Sequence, residues 1–347
     1  MSTNSYRLQW LDSLRGIAAI LVCIQHLVSL FRYKYPSYAI FQKGSILSLC
    51  TYDVLTFGRL GVVLFFFISG YVIPYSLQNR TLKHFIVSRV FRLYPAYWVS
   101  IILAIILLGC PSITILLFNI TMFQKFFNIP DLVGVFWTLQ IEIVFYILCG
   151  ILFSYDKLFN TPFLIKVYYI LLLLSLIMAL TRFETNKKLP VALMLGLSIM
   201  ILGFILRRFN DGDTALKRTK IIYFFTTFSI CLIPITLLAY NQNYGFDEHW
   251  YNYFVPYLTA TFIFLIFSYF KFQNSVMVLL GSISFSVYLL HTLVIDLFTQ
   301  LDIYRNFNPL TLTCLFFLIT ITISTICYYA IEKPVIKLGK RLLIRIQ

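Results

Sequence analysis

The chain has 347 residues, 60% of them hydrophobic and 12% charged, with a mean hydropathy of +0.85. That leaves too little polar surface for a soluble domain and describes a polytopic membrane protein. The net charge of +15 would suggest nucleic acid in a soluble chain. Here positive residues holding loops on the cytoplasmic side account for it, so no nucleic-acid partner is expected.

Ten apolar runs of spanning length follow in order, at 10–31, 54–77, 85–109, 131–154, 162–181, 189–206, 220–240, 253–272, 275–299 and 309–331. A transmembrane helix needs about 20 such residues. Continuous apolarity without alternation excludes a barrel, and lipid offers the backbone no other partner, so the runs are expected to be helices. The fold class is therefore all-α: a bundle of about ten transmembrane helices in a single domain over 1–347. The stretch 111–123 is apolar but short, and reads as re-entrant or interfacial. The run 10–31 is too long and too charged for a signal peptide, and no small-x-small site follows it. It is expected to stay in place as a helix. The seven cysteines are scattered, with no CxxC pair. No metal site is expected, and Cys50–Cys110 is the one candidate bridge.

Loop charge sets the expected orientation. With the N-terminus inside, "LQNRTLKHFIVSRVFR", "RRFNDGDTALKRTK" and the tail "EKPVIKLGKRLLIRIQ" are cytoplasmic and hold most of the Lys and Arg. "NQNYGFDEHWYN", on the other side, has neither. Both termini are expected in the cytoplasm, although Arg32, Lys34, Lys43, Arg182, Lys187 and Lys188 on outside loops blur the count.

The first run, "LDSLRGIAAILVCIQHLVSLF", carries Asp12, Arg15 and His26. Eleven helical steps turn about three times with roughly 20° left over, so Arg15 and His26 project from nearly one face, about 16 Å apart along the axis. One face with a cation at one end and an imidazole at the other could line a path through half the bilayer. The bland alternative has Arg15 snorkelling, Asp12 capping and His26 bonded structurally. In the second run Ser69 and Gly70 interrupt a series of aromatics, either to let helices approach closely or to open the backbone beside a substrate. In "SRVFRLYPAYW", Arg89 and Arg92 are i,i+3 neighbours. Two guanidiniums at one spot suit phosphate, and topology anchors are the simpler reading. Pro95 should kink that helix.

The fourth run, "FWTLQIEIVFYILCG", holds Trp137 and, mid-helix, Glu142, with Thr138 and Tyr146 on the same face. A carboxylate there costs about 2.5–3.5 kcal/mol on insertion scales, so it is expected to face a cavity or a partner such as Arg15, Arg59 or Arg92. Ser284, Tyr288 and His291 form one polar stripe on the ninth run, read as the wall of the same cavity. Glu332 and Pro334 in "IEKP" mark the exit from the tenth. Asp247, Glu248 and His249 sit in an outside loop, read as solvated.

Taken together, "LDSLRGIAAILVCIQH", "FFFISGYVI", "RVFRLYPAYW", "FWTLQIEIVFY", "SFSVYLLH" and "IEKP" occur in an order that resembles the acyltransferase 3 family of bacterial membrane proteins, along nearly the whole chain. The family's arginine–histidine spacing falls on Arg15 and His26, its arginine pair on Arg89 and Arg92, and its membrane carboxylate on Glu142. The resemblance, to the stand-alone kind without a fused extracytoplasmic domain, implies a multi-pass protein of the bacterial cytoplasmic membrane. Such a protein would move an acyl group, commonly acetyl, from acyl-CoA to a hydroxyl of a cell-envelope carbohydrate or a lipid-linked glycan. Acyl-CoA would be a co-substrate, with no cofactor permanently bound.

On that reading Arg89, Arg92 and Arg15 hold the donor. His26 is the general base, assisted by Glu142 and Arg15, and a covalent acyl-histidine is the alternative route. Arg15, Ser69 and Tyr288 are candidate donors to the oxyanion. Asp12, Ser69, Trp137, Tyr146, Tyr288 and His291 complete the expected pocket. The rival class, a transporter or flippase of lipid-linked sugars, would require two related halves with broken helices, and no internal repeat is visible.

Overall fold

A computed structural model describes residues 8–241 and 249–346. Its long helices are α1 (Gln9–Lys34), α2 (Phe57–Val72), α3 (Leu82–Leu108), α4 (Trp137–Ser154), α5 (Thr161–Thr185), α6 (Val191–Asn210), α7 (Arg218–Ala239), α8 (Tyr251–Phe270), α9 (Ser275–Gln300) and α10 (Pro309–Cys327), followed by α11 (Lys333–Ile346). Ten helical stretches are long and apolar enough to cross a membrane, and no strand occurs among the described residues. Local chemistry fixes several helix starts. Thr81, Asn160, Asn274 and Asn308 each accept a backbone N–H of the first turn that follows, and Pro162 and Pro309 stand where a missing N–H costs nothing.

Two runs differ from their expected shape. The second is not one helix over 54–77. A one-turn helix and a π-turn (Leu49–Asp53) precede α2, and the chain then tightens to a 3₁₀ turn at Pro74–Leu77, because proline cannot continue the hydrogen-bond ladder. The tenth does not end near Glu332. A π-turn (Tyr328–Glu332) leads directly into α11, where Pro334 occupies the first turn and is tolerated. The tail thus folds as an amphipathic helix packed on α3, with Gly339 against the Phe91 ring. The helix α3 continues through Pro95.

The stretch 111–123 forms a single short helix, Ile113–Ile120. At about 12 Å it is far too short to span. Its buried Asn119 donates to Ile115 O and Pro130 O and accepts from Leu132 N, while Tyr97 Oη of α3 donates to Asn119 O at 2.6 Å. These bonds tie the approach to α4 onto α3. All seven cysteines are free thiols, so Cys50 and Cys110 are not bridged.

The centre of the bundle is α1 and α2. α1 packs chiefly on α9 and α2, and α2 packs on α6 and α8. Glycines permit the close approach: a Cβ on Gly281 of α9 would stand 1.9 Å from Asp12 O of α1, and one on Gly70 of α2 would stand 1.9 Å from Met200 O of α6. Gly70 is therefore a packing residue, which settles one of the two readings of the Ser69–Gly70 pair.

Candidate active site

Five helices converge near one end of α1. Arg15 of α1, Phe65 and Ser69 of α2, Arg92 of α3, Thr138 and Glu142 of α4, and Ser284 and Tyr288 of α9 line a cavity of about 90 Å³. That volume holds several waters or a small acyl group. It is far below the 300–1,000 Å³ of sites that enclose a drug-sized molecule. Arg92 is exposed, so the cavity opens on its side.

The charges inside are organised. Arg15 Nη1 lies 3.3 Å from Oδ1 of the buried Asp12, one turn earlier on α1. Glu142 accepts a 2.5 Å hydrogen bond from Tyr146 Oη, its i+4 neighbour, and makes no ion pair with Arg15 or Arg92 among the described residues. Arg59, the third expected partner, is engaged elsewhere: it donates to Asn252 O and stacks on Tyr253. Thr138 Oγ1 and Tyr288 Oη are 2.7 Å apart, and both hydroxyls also approach Val135 O. Either hydroxyl can donate to the other while that other donates to Val135 O, and in both arrangements the Tyr288 O–H is spent within this group. Of the three candidate oxyanion donors, Tyr288 is thus occupied. Arg15 spends one of its five N–H groups on Asp12.

Beyond Tyr288 stands a pair of histidines. The ring of His291 is 6.0 Å from that of Tyr288 and 5.1 Å from that of His26. His291 is fully buried, and its Nδ1 lies 3.1 Å from Val287 O. A carbonyl only accepts, so Nδ1 carries the proton and Nε2 is left as an acceptor with no partner among the described residues. Arg15 and His26 therefore mark two ends of one connected arrangement: cavity, Tyr288, His291, His26. His26 itself does not line the cavity. The expected single path from Arg15 to His26 is interrupted by the Tyr288 and His291 rings.

Other expected members are placed apart. Arg89 and Arg92 do not meet at one spot. Arg89 turns into a separate groove of about 500 Å³ between α3 and α4, its guanidinium 5.7 Å from the rings of both Phe85 and Tyr146. Its Nε is buried without a partner. Three residues advance a helix by about 300°, which leaves the two side chains about 60° apart around the axis, so the spacing alone does not separate them and the packing around α3 does. Trp137 is 39% exposed and lies outside the cavity lining. Asp247 and Glu248 lie outside the described residues. His249 caps the approach to α8 by donating its backbone N–H to Asn252 Oδ1. Among the described residues, no cluster of three or more His, Cys, Asp or Glu could hold a metal ion.

One group escaped sequence reading. Glu332, read as an exit marker, is 4% exposed, accepts a hydrogen bond from Ser286 Oγ of α9, and lies within charge interaction of Arg92. The signal was present in "IEKP": a carboxylate at the end of an apolar run, before a helix that does not stop.

The family model described as "Acyltransferase domain", acyltransferase 3, matches residues 8–329. The chain belongs to that family. Searches of curated proteins and of solved structures found no match.

Proposed function

We propose that this multi-pass membrane acyltransferase moves a small acyl group, acetyl in the first instance, from acyl-CoA to a hydroxyl of a cell-envelope carbohydrate or lipid-linked glycan. The observation that carries the proposal is the small charged cavity joined through Tyr288 to the His291–His26 pair. Both termini are taken to be cytoplasmic, so that the cavity lies toward the donor's side in a bacterial cytoplasmic membrane.

The cavity volume suits an acetyl group and leaves the coenzyme body outside. Arg92, at the opening, and Arg89, beside it, suit the donor's phosphates. The Tyr288 and His291 rings stand between His26 and the cavity, so the reading requires them to move aside; His26 then takes the proton of the acceptor hydroxyl. The hydroxyl oxygen then bonds to the thioester carbonyl carbon. Arg15 donates to the oxyanion that forms, with Ser69 at hand in the same wall. Collapse breaks the C–S bond, the thiolate takes the proton from the imidazolium, and coenzyme A leaves. Glu142 offsets the positive charge of this centre.

The test uses purified protein with radiolabelled acetyl-CoA and a panel of envelope glycans. Label appearing on a glycan hydroxyl supports the reading. Glycan left unlabelled while acetyl-CoA stays intact, in a monodisperse preparation, overturns it.

A further inference from the structure

A second basic site lies at the bundle end where α1 begins, away from the cavity. The ends of α1, α6 and α8 and the start of α7 surround a cup of about 720 Å³. Arg207, Arg218 and Lys271 line it, with Asp211 as the one acid. Asp211 is committed to Arg207, Nε to Oδ2 at 2.8 Å, and that guanidinium is stacked over Tyr71 and Tyr75. Arg218 and Lys271 have no ion-pair partner among the described residues, so the cup keeps about two uncompensated positive charges. Burial, followed by the nearby Arg207, lowers the Lys271 ammonium below the usual lysine range.

Two further features favour an anion there. Trp10 lines the cup, is 4% exposed, and its indole N–H has no acceptor among the described residues. Lys271 Nζ sits 4.4 Å from the same ring. The helix α7 also begins without a side-chain cap and without an acidic residue in its first turn; Arg218 is its first residue. A cation at a helix N-terminus opposes the macrodipole, and a bound anion relieves it. The rim is apolar and faces outward: Ile222 of α7 is 57% exposed and Tyr269 of α8 is 77% exposed. In a membrane those faces meet lipid rather than water.

We propose that this cup binds the headgroup of an anionic phospholipid. Its phosphate meets Arg218, Lys271 and the Trp10 indole N–H, and its acyl chains lie along the exposed faces of α7 and α8. The proposal rests on the membrane fold and is independent of the acyl-transfer reading.

The test is native mass spectrometry of the full-length protein, released from detergent after incubation with equimolar phosphatidylglycerol and phosphatidylcholine. Wild type should retain phosphatidylglycerol at least tenfold over phosphatidylcholine. Arg218→Gln and Lys271→Gln should each lower that preference about fivefold, and both positions are exposed enough for the variants to fold. Trp10→Phe, which keeps the ring and removes the N–H, should lower it about threefold. Equal retention of both lipids by wild type would overturn the proposal, as would a double variant with undiminished preference. Displacement of phosphatidylglycerol by added coenzyme A would also overturn it, by assigning the cup to the donor's nucleotide.

Discussion

Arg15→Lys separates catalysis from packing at the cavity. The substitution keeps a positive charge near Asp12 and shortens the side chain's donor set from five N–H groups in a planar fork to three on a point charge. The Asp12–Arg15 pair is long, at 3.3 Å, and its side chains are 7% and 21% exposed. Lysine keeps a positive charge beside the buried Asp12, so the expected stability loss is well below the about 3–5 kcal/mol of removing one partner of a buried pair. The catalytic loss is larger. A guanidinium N–H aimed at the thioester oxyanion contributes about 2.7–4 kcal/mol to the barrier, or 10²–10³ in kcat. A thermal-shift measurement and steady-state transfer at saturating donor give the two numbers on one preparation. A drop in kcat of at least a hundredfold with a near-normal melting temperature supports Arg15 as the oxyanion donor. A fully active Arg15→Lys enzyme would refute the assignment. A variant with a much lower melting temperature and a proportionate fall in rate would show that the guanidinium only holds α1 in place.

Four more outcomes are expected. His26→Ala should lower transfer by about 10²–10⁴ while the protein still inserts and purifies; near-normal turnover would remove His26 from the mechanism. Arg92→Ala should weaken coenzyme A binding more than Arg89→Ala, because Arg92 stands at the cavity opening and Arg89 in the neighbouring groove; equilibrium binding to both variants decides, and unchanged affinity in both would return them to topology anchors. Glu142→Gln keeps the acceptor for Tyr146 Oη and removes the charge, so turnover should fall by more than coenzyme A affinity; an unchanged rate in a well-folded variant would sink its catalytic role. Gly281→Ala should destabilise the bundle by at least about 1–3 kcal/mol, since its Cβ meets a backbone carbonyl that cannot swing aside; a wild-type melting temperature would contradict the close α1–α9 packing.

Ten spans were legible in the sequence because lipid forces each backbone to satisfy itself within one continuous apolar helix, so composition alone reports the element. That Glu142 and Tyr146 share a helix face was legible for a similar reason, although an arginine was the expected partner; Asp12, a cap on the simpler reading, instead pairs with Arg15, one turn on. The family, too, could be read from six short segments in order.

Contacts between helices were not legible. That His26 meets His291, that Tyr288 bonds to Thr138, and that Glu332 turns inward to Ser286 depends on which helix faces which. Helix faces in a membrane carry no hydrophobic pattern to announce their partners, because lipid and neighbouring helix are equally apolar. The separation of Arg89 from Arg92 has the same origin. Their spacing places them close together on α3, but only the packing of α4 and α9 around that helix decides that one guanidinium enters the cavity and the other a groove beside it.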